Sequence, residues 1–472
     1  MKKNLKPIIV IALVAVLIVF SVLQLSALPE APAETAFETA ELYEEALGAH
    51  NAVVKDTHAK ITIGLLLVAA VSFALEAFPI AGTAMFLPIF LGLTGVLSFK
   101  EAFAGFSDST VILFAAMFVL GAALFQTGLA RKIGLFVVKL FSGSETKLMV
   151  GVMVLTACMA AFLSNTGTVA ILLPIVMEIA DSQGWSRAKL LLPMAYISSA
   201  AGTCTMTGTP PNLTVNAVLS NYGFEPLGFF DYAWYGIPMT IVAIIYLATI
   251  GKKLIPNRGA VEAPAASAAD EKVYDKKKQI IAGSTLVVVV IMMVWGIADL
   301  AIVASAGALL CVLTGCLSEK QAYQAIDWST IFLFAGALSL ANAMATTGAG
   351  SMIANICVNL MGGNPSPYLV LTVLFFVTDI LTEFMSNTAS AALLCPIGLE
   401  IAAILDVSPI AIVLSIGFAA SAAYITPIST PPNTLVWKPA NLRFTDYTKV
   451  GAPLFFLAYI VAVLIVPLVW PF

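Results

Sequence analysis

The chain has 472 residues, of which 60% are hydrophobic and only 11% are charged, and its mean hydropathy is +0.98. Ordinary soluble domains are far less apolar, so this composition indicates an integral membrane protein surrounded by lipid. The net charge of −4 is small and gives no indication of a nucleic-acid partner.

Apolar runs along the chain predict membrane-spanning helices, which need about 20 mostly apolar residues each. A β-barrel would instead show alternating segments of about ten residues. The first run follows MKKNLK and ends in LSA, so it is either a first span or a cleaved signal peptide. We favour a retained span because the run is long for a signal peptide. With that span eleven are predicted, and the other ten lie at 61–78, 79–98, 109–127, 188–219, 233–251, 280–296, 299–317, 328–346, 408–439 and 448–470.

Two further apolar stretches, 146–181 and 367–404, are too long for one span, and each contains Ser-Asn-Thr near its centre. We predict that both are re-entrant helical hairpins, which enter and leave on the same side of the membrane. The charges support this topology, because cytoplasmic loops are enriched in Lys and Arg. With the N-terminus in the cytoplasm and the C-terminus outside, 20 of the 23 basic residues lie inside, all but Lys55, Lys60 and Lys100.

Three motifs occur twice, in the same order and at a nearly constant spacing. They are STVILFA (109–115) and STIFLFA (329–335), SNT (164–166) and SNT (386–388), and TPPN (209–212) and TPPN (430–433). The two halves therefore look like copies, and the odd number of spans between their starts makes the second copy inverted. Inverted repeats with interrupted helices are typical of secondary transporters.

The repeat predicts the domain boundaries. An N-terminal span with an external connector (1–60) precedes a first repeat (61–251), a cytoplasmic linker (252–279) and an inverted second repeat (280–472). In each repeat we expect scaffold helices first, to about residue 140 and about residue 366, and then a hairpin and transport helices.

The polar motifs are suited to breaks in helices. Ser, Asn and Thr accept the unpaired N–H groups of a helix N-terminus, and Pro is tolerated in the first turn. Each helix N-terminus carries roughly half a positive charge, so four half-helices, after Thr166, Thr209, Thr388 and Thr430, would offer about two positive charges. The carbonyl ends of broken helices suit Na⁺. The sequence therefore predicts a dianion held by helix ends and balanced by bound cations.

Two acids lie close to the tip of the second predicted hairpin, which is the Ser-Asn-Thr motif at 386–388. Asp379 and Glu383 are about 10 and 5 Å before it at about 1.5 Å per residue, and they share one helical face. An acid at that depth indicates a function, so both are candidate coupling acids, near a cation site or as a proton carrier. The alternative is a buried acid paired with a hydroxyl. Because the first hairpin has Ala157 and Ala161 at the matching positions, we expect the second hairpin to supply the stronger coupling.

No enzyme or organic cofactor is predicted. The six cysteines lie in apolar stretches without a CxxC pair, both histidines lie in the polar connector, and the sequence has no HExxH or GxSxG motif.

The paired SNT motifs, TEFMSNTASAALLCPI (382–397) and PISTPPNTLVW (427–437) resemble the divalent anion/sodium symporter family of the ion transporter superfamily. The resemblance covers nearly the whole chain from about residue 60. It implies a homodimer in which each protomer has a scaffold domain and a transport domain that moves like an elevator.

The resemblance also implies site residues. Substrate carboxylates would contact Asn165, Thr166, Asn387 and Thr388, with Thr430 and Pro431 beside them, and we include Thr209 and Pro210 of the first break. One Na⁺ site would use Ser164, Asn165 and the backbone at Gly208. The other would use Thr382, Asn387 and backbone near Met385 and Ser429. The chain departs from sodium-coupled members at Ala160, where they can offer a hydroxyl.

The predicted function is secondary transport of C4-type dicarboxylates such as succinate, malate and fumarate across the cytoplasmic membrane, coupled to Na⁺. A sodium-independent exchanger, a sulfate or tricarboxylate transporter of the same family and an anion channel are the alternatives.

Overall fold

The computed structural model describes residues 5–37, 39–141, 143–257 and 274–472. Every regular element in these ranges is helical and no strand occurs in them, so the predicted all-helical fold is confirmed. The predicted linker, 252–279, falls largely on residues 258–273 and to that extent lies outside the described residues, as do residues 1–4 of the predicted first segment.

The helices of the first half follow one another with short connections. They are α1 (Leu5–Ser26), α2 (Ala40–Leu75), α3 (Ile80–Leu93), α4 (Phe99–Ala102), α5 (Ser109–Gln126), α6 (Leu129–Phe141), α7 (Glu145–Ala160), α8 (Asn165–Ser182), α9 (Arg187–Gly202), α10 (Pro210–Asn221), α11 (Ala233–Tyr246) and α12 (Lys252–Leu254). A π-helical turn, Leu247–Gly251, joins α11 to α12.

The second half repeats this order. Its helices are α13 (Lys276–Val294), α14 (Leu300–Leu313), α15 (Glu319–Ala325), α16 (Trp328–Thr347), α17 (Ala349–Leu360), α18 (Pro367–Thr382), α19 (Asn387–Ile404), α20 (Ile410–Ser421), α21 (Pro431–Trp437) and α22 (Phe444–Val469).

Eight helices in the described part of the chain are long and apolar enough to cross a membrane, namely α1, α2, α5, α11 with its continuation, α13, α16, α19 and α22. The spans predicted at 79–98 and 299–317 contain the shorter helices α3 and α14. Leu93 and Leu313, at the ends of these two helices, have exposed fractions of 83% and 75%. Large exposed apolar side chains of this kind suit contact with lipid. The chain is a multi-pass membrane protein.

Each of the two stretches with a central Ser-Asn-Thr motif forms a pair of helices, α7 with α8 and α18 with α19. The first pair packs on α9 and the second on α20. Contacts between the halves follow the same symmetry, since α10 packs on α19 while α21 packs on α8. In the remaining helices, α3 packs on α16 and α5 on α14. This crossed packing brings the interrupted parts of both halves together.

The structure departs from the predicted elements in two places. Helix α2 begins at Ala40, well before the predicted span at 61–78, because Thr39 caps it and the following Ala, Glu and Leu residues favour helix. Helices α6 and α17 were not predicted. Each is amphipathic and too short to span a membrane, and each packs against the hairpin of its own half.

Candidate functional site

Both polar tips and both broken helices open onto one cavity of about 550 Å³. Most of the predicted site residues line it, namely Ser164, Asn165, Thr166, Gly208, Thr209, Pro210, Met385, Asn387, Thr388, Ser429, Thr430 and Pro431. Thr382, Asp379 and Glu383 do not line it and are buried behind it. The structure therefore gathers residues from both halves of the chain around one space.

The hairpin tips differ in how their second helix begins. Ser164 caps α8, since its Oγ accepts the Gly167 N–H at 3.3 Å. Ser386 makes no such bond at the start of α19, so the expected capping is confirmed at the first tip and wrong at the second. Both tips nevertheless direct a helix N-terminus, with its unpaired N–H groups, toward the cavity.

The Thr-Pro-Pro-Asn breaks also differ. Thr430 caps α21 by accepting the Asn433 N–H at 3.5 Å. Thr209 makes no capping bond at the start of α10, and its hydroxyl lies 3.5 Å from Ser421 Oγ. The predicted Thr cap is therefore present in the second break only. Two prolines occupy the first turn of each following helix, where their missing N–H groups cost no helical hydrogen bond.

The asparagine of each break holds the interrupted backbone in place. Asn212 Nδ2 donates to Thr205 O at 2.8 Å, and Asn433 Nδ2 donates to Thr426 O at 3.1 Å. A tyrosine hydroxyl then donates to the carbonyl of each asparagine, from Tyr232 at 2.8 Å and from Tyr447 at 2.7 Å. The two Nδ2 bonds satisfy backbone carbonyls that the missing helical turns leave unpaired, and the tyrosine bonds fix the first turn of each following helix.

Two threonines that sequence reasoning missed fasten the hairpins to the breaks. Thr205 Oγ1 donates to the carbonyl of Ala161, and Thr426 Oγ1 donates to the carbonyl of Glu383 at 3.2 Å. Both threonines are buried. They occupy the same place ahead of the TPPN motif in their respective halves, and this was the signal that could have identified them.

The first predicted cation site is a group of oxygens around Asn165. One end of its amide lies 2.8 Å from Ser198 O and 3.2 Å from Gly208 O. Two arrangements satisfy this contact: the amide nitrogen donates to both carbonyls, or the amide oxygen joins them as a third ligand for a hard cation. A Cβ on Gly208 would lie 2.3 Å from Gly202 O, so glycine is needed for this close approach.

The second predicted cation site is built from Thr382, Asn387 and the backbone after α20. Thr382 Oγ1 lies 2.8 Å from Asn387 Oδ1 and 3.0 Å from Ala420 O. Ser198 and Ala420 are as far apart in the chain as the two SNT motifs, so the two oxygen groups correspond by the repeat. The hydroxyl of Ser429 points elsewhere, to Ala423 O at 3.1 Å and Thr426 O at 2.9 Å.

The two acids behind the second tip have different surroundings. The carboxylate of Glu383 accepts the N–H groups of Ile425 and Thr426, each at 2.8 Å, and its exposed fraction is 3%. Asp379 has an exposed fraction of 2%, and its Oδ1 has no hydrogen-bond partner in the described part of the chain. Glu383 therefore fastens the end of α18 to the second break, whereas Asp379 is a buried acid with an unpaired carboxyl oxygen.

The side of the cavity at the end of α2 and along α5 and α16 was not predicted from the sequence. Phe114, Met117, Phe118 and Leu333 supply apolar surface, Ser329 and Thr330 supply hydroxyls, and Glu76 and Asp327 supply carboxylates. No Lys, Arg or His is among the described residues that line the cavity. The motif that contains Ser329 and Thr330 was recognised as a repeat but was not connected with the site.

Comparison with known proteins agrees with this picture. The model of the citrate transporter family (CitMHS) matches residues 70–397 and 357–471. An uncharacterized transporter of Haemophilus influenzae is 30% identical over 88% of this chain and 92% of its own. The sodium-dependent dicarboxylate transporter SdcS of Staphylococcus aureus (strain USA300) is 25% identical over 84% of this chain and 83% of its own.

Two solved structures share the fold. The YdaH transporter of Alcanivorax borkumensis aligns with a TM-score of 0.59 and 13% identity, covering 87% of this chain and 98% of that chain. MtrF of Neisseria gonorrhoeae aligns with a TM-score of 0.55 and 14% identity, covering 80% and 83%. Together with the sequence matches, these similarities confirm the resemblance that the paired motifs indicated.

Proposed function

We propose that this chain, which belongs to the citrate transporter family, moves C4-type dicarboxylates across the cytoplasmic membrane. The proposed mechanism is secondary active transport coupled to Na⁺. Its family and its structural neighbours are membrane transporters, so the chain is a transporter and not an enzyme. Succinate, malate and fumarate are the substrates that the site supports best.

One observation carries this proposal: two hairpin tips and two broken helices, related by the internal repeat, line one cavity. Four helix N-termini around that cavity supply about two positive charges, which matches a dianion. The described lining has no cationic side chain, so backbone dipoles and bound cations are the groups that would balance the substrate. Asn165, Thr166, Asn387 and Thr388 would contact the carboxylates, beside Thr209, Pro210, Thr430 and Pro431.

Sodium coupling rests on the two oxygen groups. The first would use Ser164, Asn165 and Gly208. The second would use Thr382 and Asn387, with backbone near Met385 and Ser429. The relative named as a sodium-dependent dicarboxylate transporter supports this assignment. Of the two acids, Asp379 with its unpaired oxygen is the better candidate for coupling, since Glu383 already holds two backbone N–H groups.

The proposed mechanism is an elevator movement within a homodimer. Helices up to about residue 140 and from 280 to about 366 would form the scaffold, and the hairpins with the broken helices would move against it. The N-terminus would lie in the cytoplasm and the C-terminus outside, as the distribution of basic residues predicts.

Counterflow in proteoliposomes tests the proposal. Vesicles loaded with unlabelled succinate should take up labelled succinate in a saturable way, and an inward Na⁺ gradient should drive uptake into empty vesicles. An uptake rate that does not saturate with external succinate and does not depend on internal succinate would identify a channel instead. Labelled sulfate and citrate, offered in the same assay, test the other anions of the family.

Exchange without Na⁺ is the second candidate, because Ala160 matches Thr382 by the repeat. Thr382 brings a hydroxyl to the second oxygen group, whereas alanine has none to offer to the first. Uptake into succinate-loaded vesicles, together with no uptake into empty vesicles under a Na⁺ gradient, would favour exchange.

A further inference from the structure

The only charged side chains among the described residues that line the cavity are two carboxylates, Glu76 and Asp327. Glu76 follows α2 and Asp327 precedes α16, so both belong to the predicted scaffold and not to the substrate-gripping tips. Both are exposed to solvent. Two negative charges in the wall of an anion cavity oppose the binding of its substrate, and therefore need an explanation.

The backbone conformation of Glu76 is strained. Its backbone φ of 48° is in the left-handed region, which residues other than Gly, Asn and Asp rarely adopt. The matching residue of the second half, at the spacing of the STVILFA and STIFLFA motifs, is Gly296, with a φ of 61°. The chain therefore uses glycine in one copy of this turn and keeps a strained glutamate in the copy that faces the cavity. Strained residues of this kind concentrate at functional sites.

The carboxylate of Asp327 is held in place by its own helix. Its oxygens accept the N–H of Thr330 at 3.3 Å and the Thr330 hydroxyl at 2.6 Å. No ion pair in the described part of the chain involves either acid. Lys6 lies near Glu76, but its ammonium donates to Leu75 O at 2.9 Å. Both carboxylates thus line the cavity without an ion-pair partner among the described residues.

We propose that Glu76 and Asp327, called here the acidic pair, restrict the transporter to dicarboxylates by rejecting tricarboxylates. The four helix ends offer about two positive charges, which two carboxylates satisfy. A third carboxylate, as in citrate, exceeds the roughly two positive charges that the helix ends supply. It finds no basic side chain in the described lining, where the charged side chains are the acidic pair. This inference rests on the proposed dicarboxylate transport and assigns its anion selectivity to the scaffold.

The test is competition by citrate and by malate for labelled succinate counterflow, at a pH where all three anions are fully ionised. The variants are Glu76→Gln, Asp327→Asn and the double variant. Asparagine also caps helices well, so Asp327→Asn keeps the start of α16. Glu76→Gly removes the same charge and also relieves the left-handed strain, so loss of folding cannot explain its phenotype. Asp299→Asn is the matched control, because Asp299 caps α14 and does not line the cavity.

We expect citrate to compete poorly with wild type and to gain about 1.4- to 5-fold in apparent affinity per removed charge, as is typical of pairs of exposed charges. Malate should change much less, and Asp299→Asn should change neither anion. Raising choline chloride shortens the screening length from ~8 Å at ~0.15 M to ~3 Å at ~1 M. It should therefore improve citrate competition most in wild type, less in each single variant and not in the double variant.

Three results would overturn the inference. The first is an unchanged ratio of citrate to malate competition in the double variant, which includes equal gains for both anions. The second is a gain that does not depend on salt, and the third concerns wild type. Wild type that transports citrate as well as succinate would also overturn it, while leaving transport itself established. Absence of succinate counterflow in wild type would instead refute the proposed function.

Discussion

Replacing Glu383 by alanine should destabilise the transporter without removing its response to Na⁺. The carboxylate accepts two backbone N–H groups at 2.8 Å, from Ile425 and Thr426, in a site where its exposed fraction is 3%. Each buried donor left unpaired costs about 1–3 kcal/mol, so the Glu383→Ala variant should lose roughly 2–6 kcal/mol of unfolding free energy. That loss is large beside a typical total of about 5–15 kcal/mol.

Glutamine at this position keeps one acceptor oxygen but turns an NH₂ group toward the other backbone N–H. Glu383→Gln should therefore lose about half as much, roughly 1–3 kcal/mol, and remain folded well enough to assay. Thermal unfolding in detergent measures the stability, and succinate uptake over a series of Na⁺ concentrations measures the coupling. Glu178→Ala is the matched control, because Glu178 is an exposed acid on the first hairpin and should affect neither. The reasoning fails if Glu383→Gln unfolds at the wild-type temperature yet no longer responds to Na⁺.

Four further substitutions test the coupling and the movement. Ala160→Ser adds a hydroxyl beside the first oxygen group and should lower the Na⁺ concentration for half-maximal uptake, whereas an unchanged Na⁺ response would exclude Ala160 from that site. Asp379→Asn should keep Na⁺-driven uptake and lose any response to an imposed pH gradient, and loss of the Na⁺ response would identify a cation ligand instead. Ser329→Cys, which lines the cavity, should react with an impermeant thiol reagent from the cytoplasmic side and be protected by succinate. Ser109→Cys, its counterpart in the inverted repeat, should react from outside, and labelling of both from one side would argue against the inverted topology that the proposed elevator movement requires.

The parts of the site that could be predicted from the sequence are those with local signals. Ser-Asn-Thr and Thr-Pro-Pro-Asn interrupt helices because capping side chains and proline act within a few residues. Their recurrence at one spacing also predicted that the tips of both halves belong together, and Asn165 and Asn387 do line one cavity. The choice of capping residue was less predictable, since Ser164 and Thr430 cap while Thr209 and Ser386 do not.

The cavity wall at the end of α2 and along α5 and α16 could not be predicted in this way. Glu76 and Asp327 reach the cavity only because α2 and α16 pack beside the hairpins, and no local pattern encodes that packing. The early start of α2 had a local signal, Thr39 before a run of helix-forming residues, but the polar composition of the segment favoured a solvated connector. Thr205 and Thr426 had a signal in the repeat, but as single residues they were not distinguishable from other threonines.

The central claim is that helix N-termini from the two halves, without a basic side chain, hold the substrate dianion. A structure determined with succinate and Na⁺ bound tests it most directly. We expect one carboxylate at the start of α8, near Asn165 and Thr166, and the other at the start of α19, near Asn387 and Thr388, with no Lys or Arg in contact. A succinate whose carboxylates pair with a basic residue, or lie away from both tips, would contradict it.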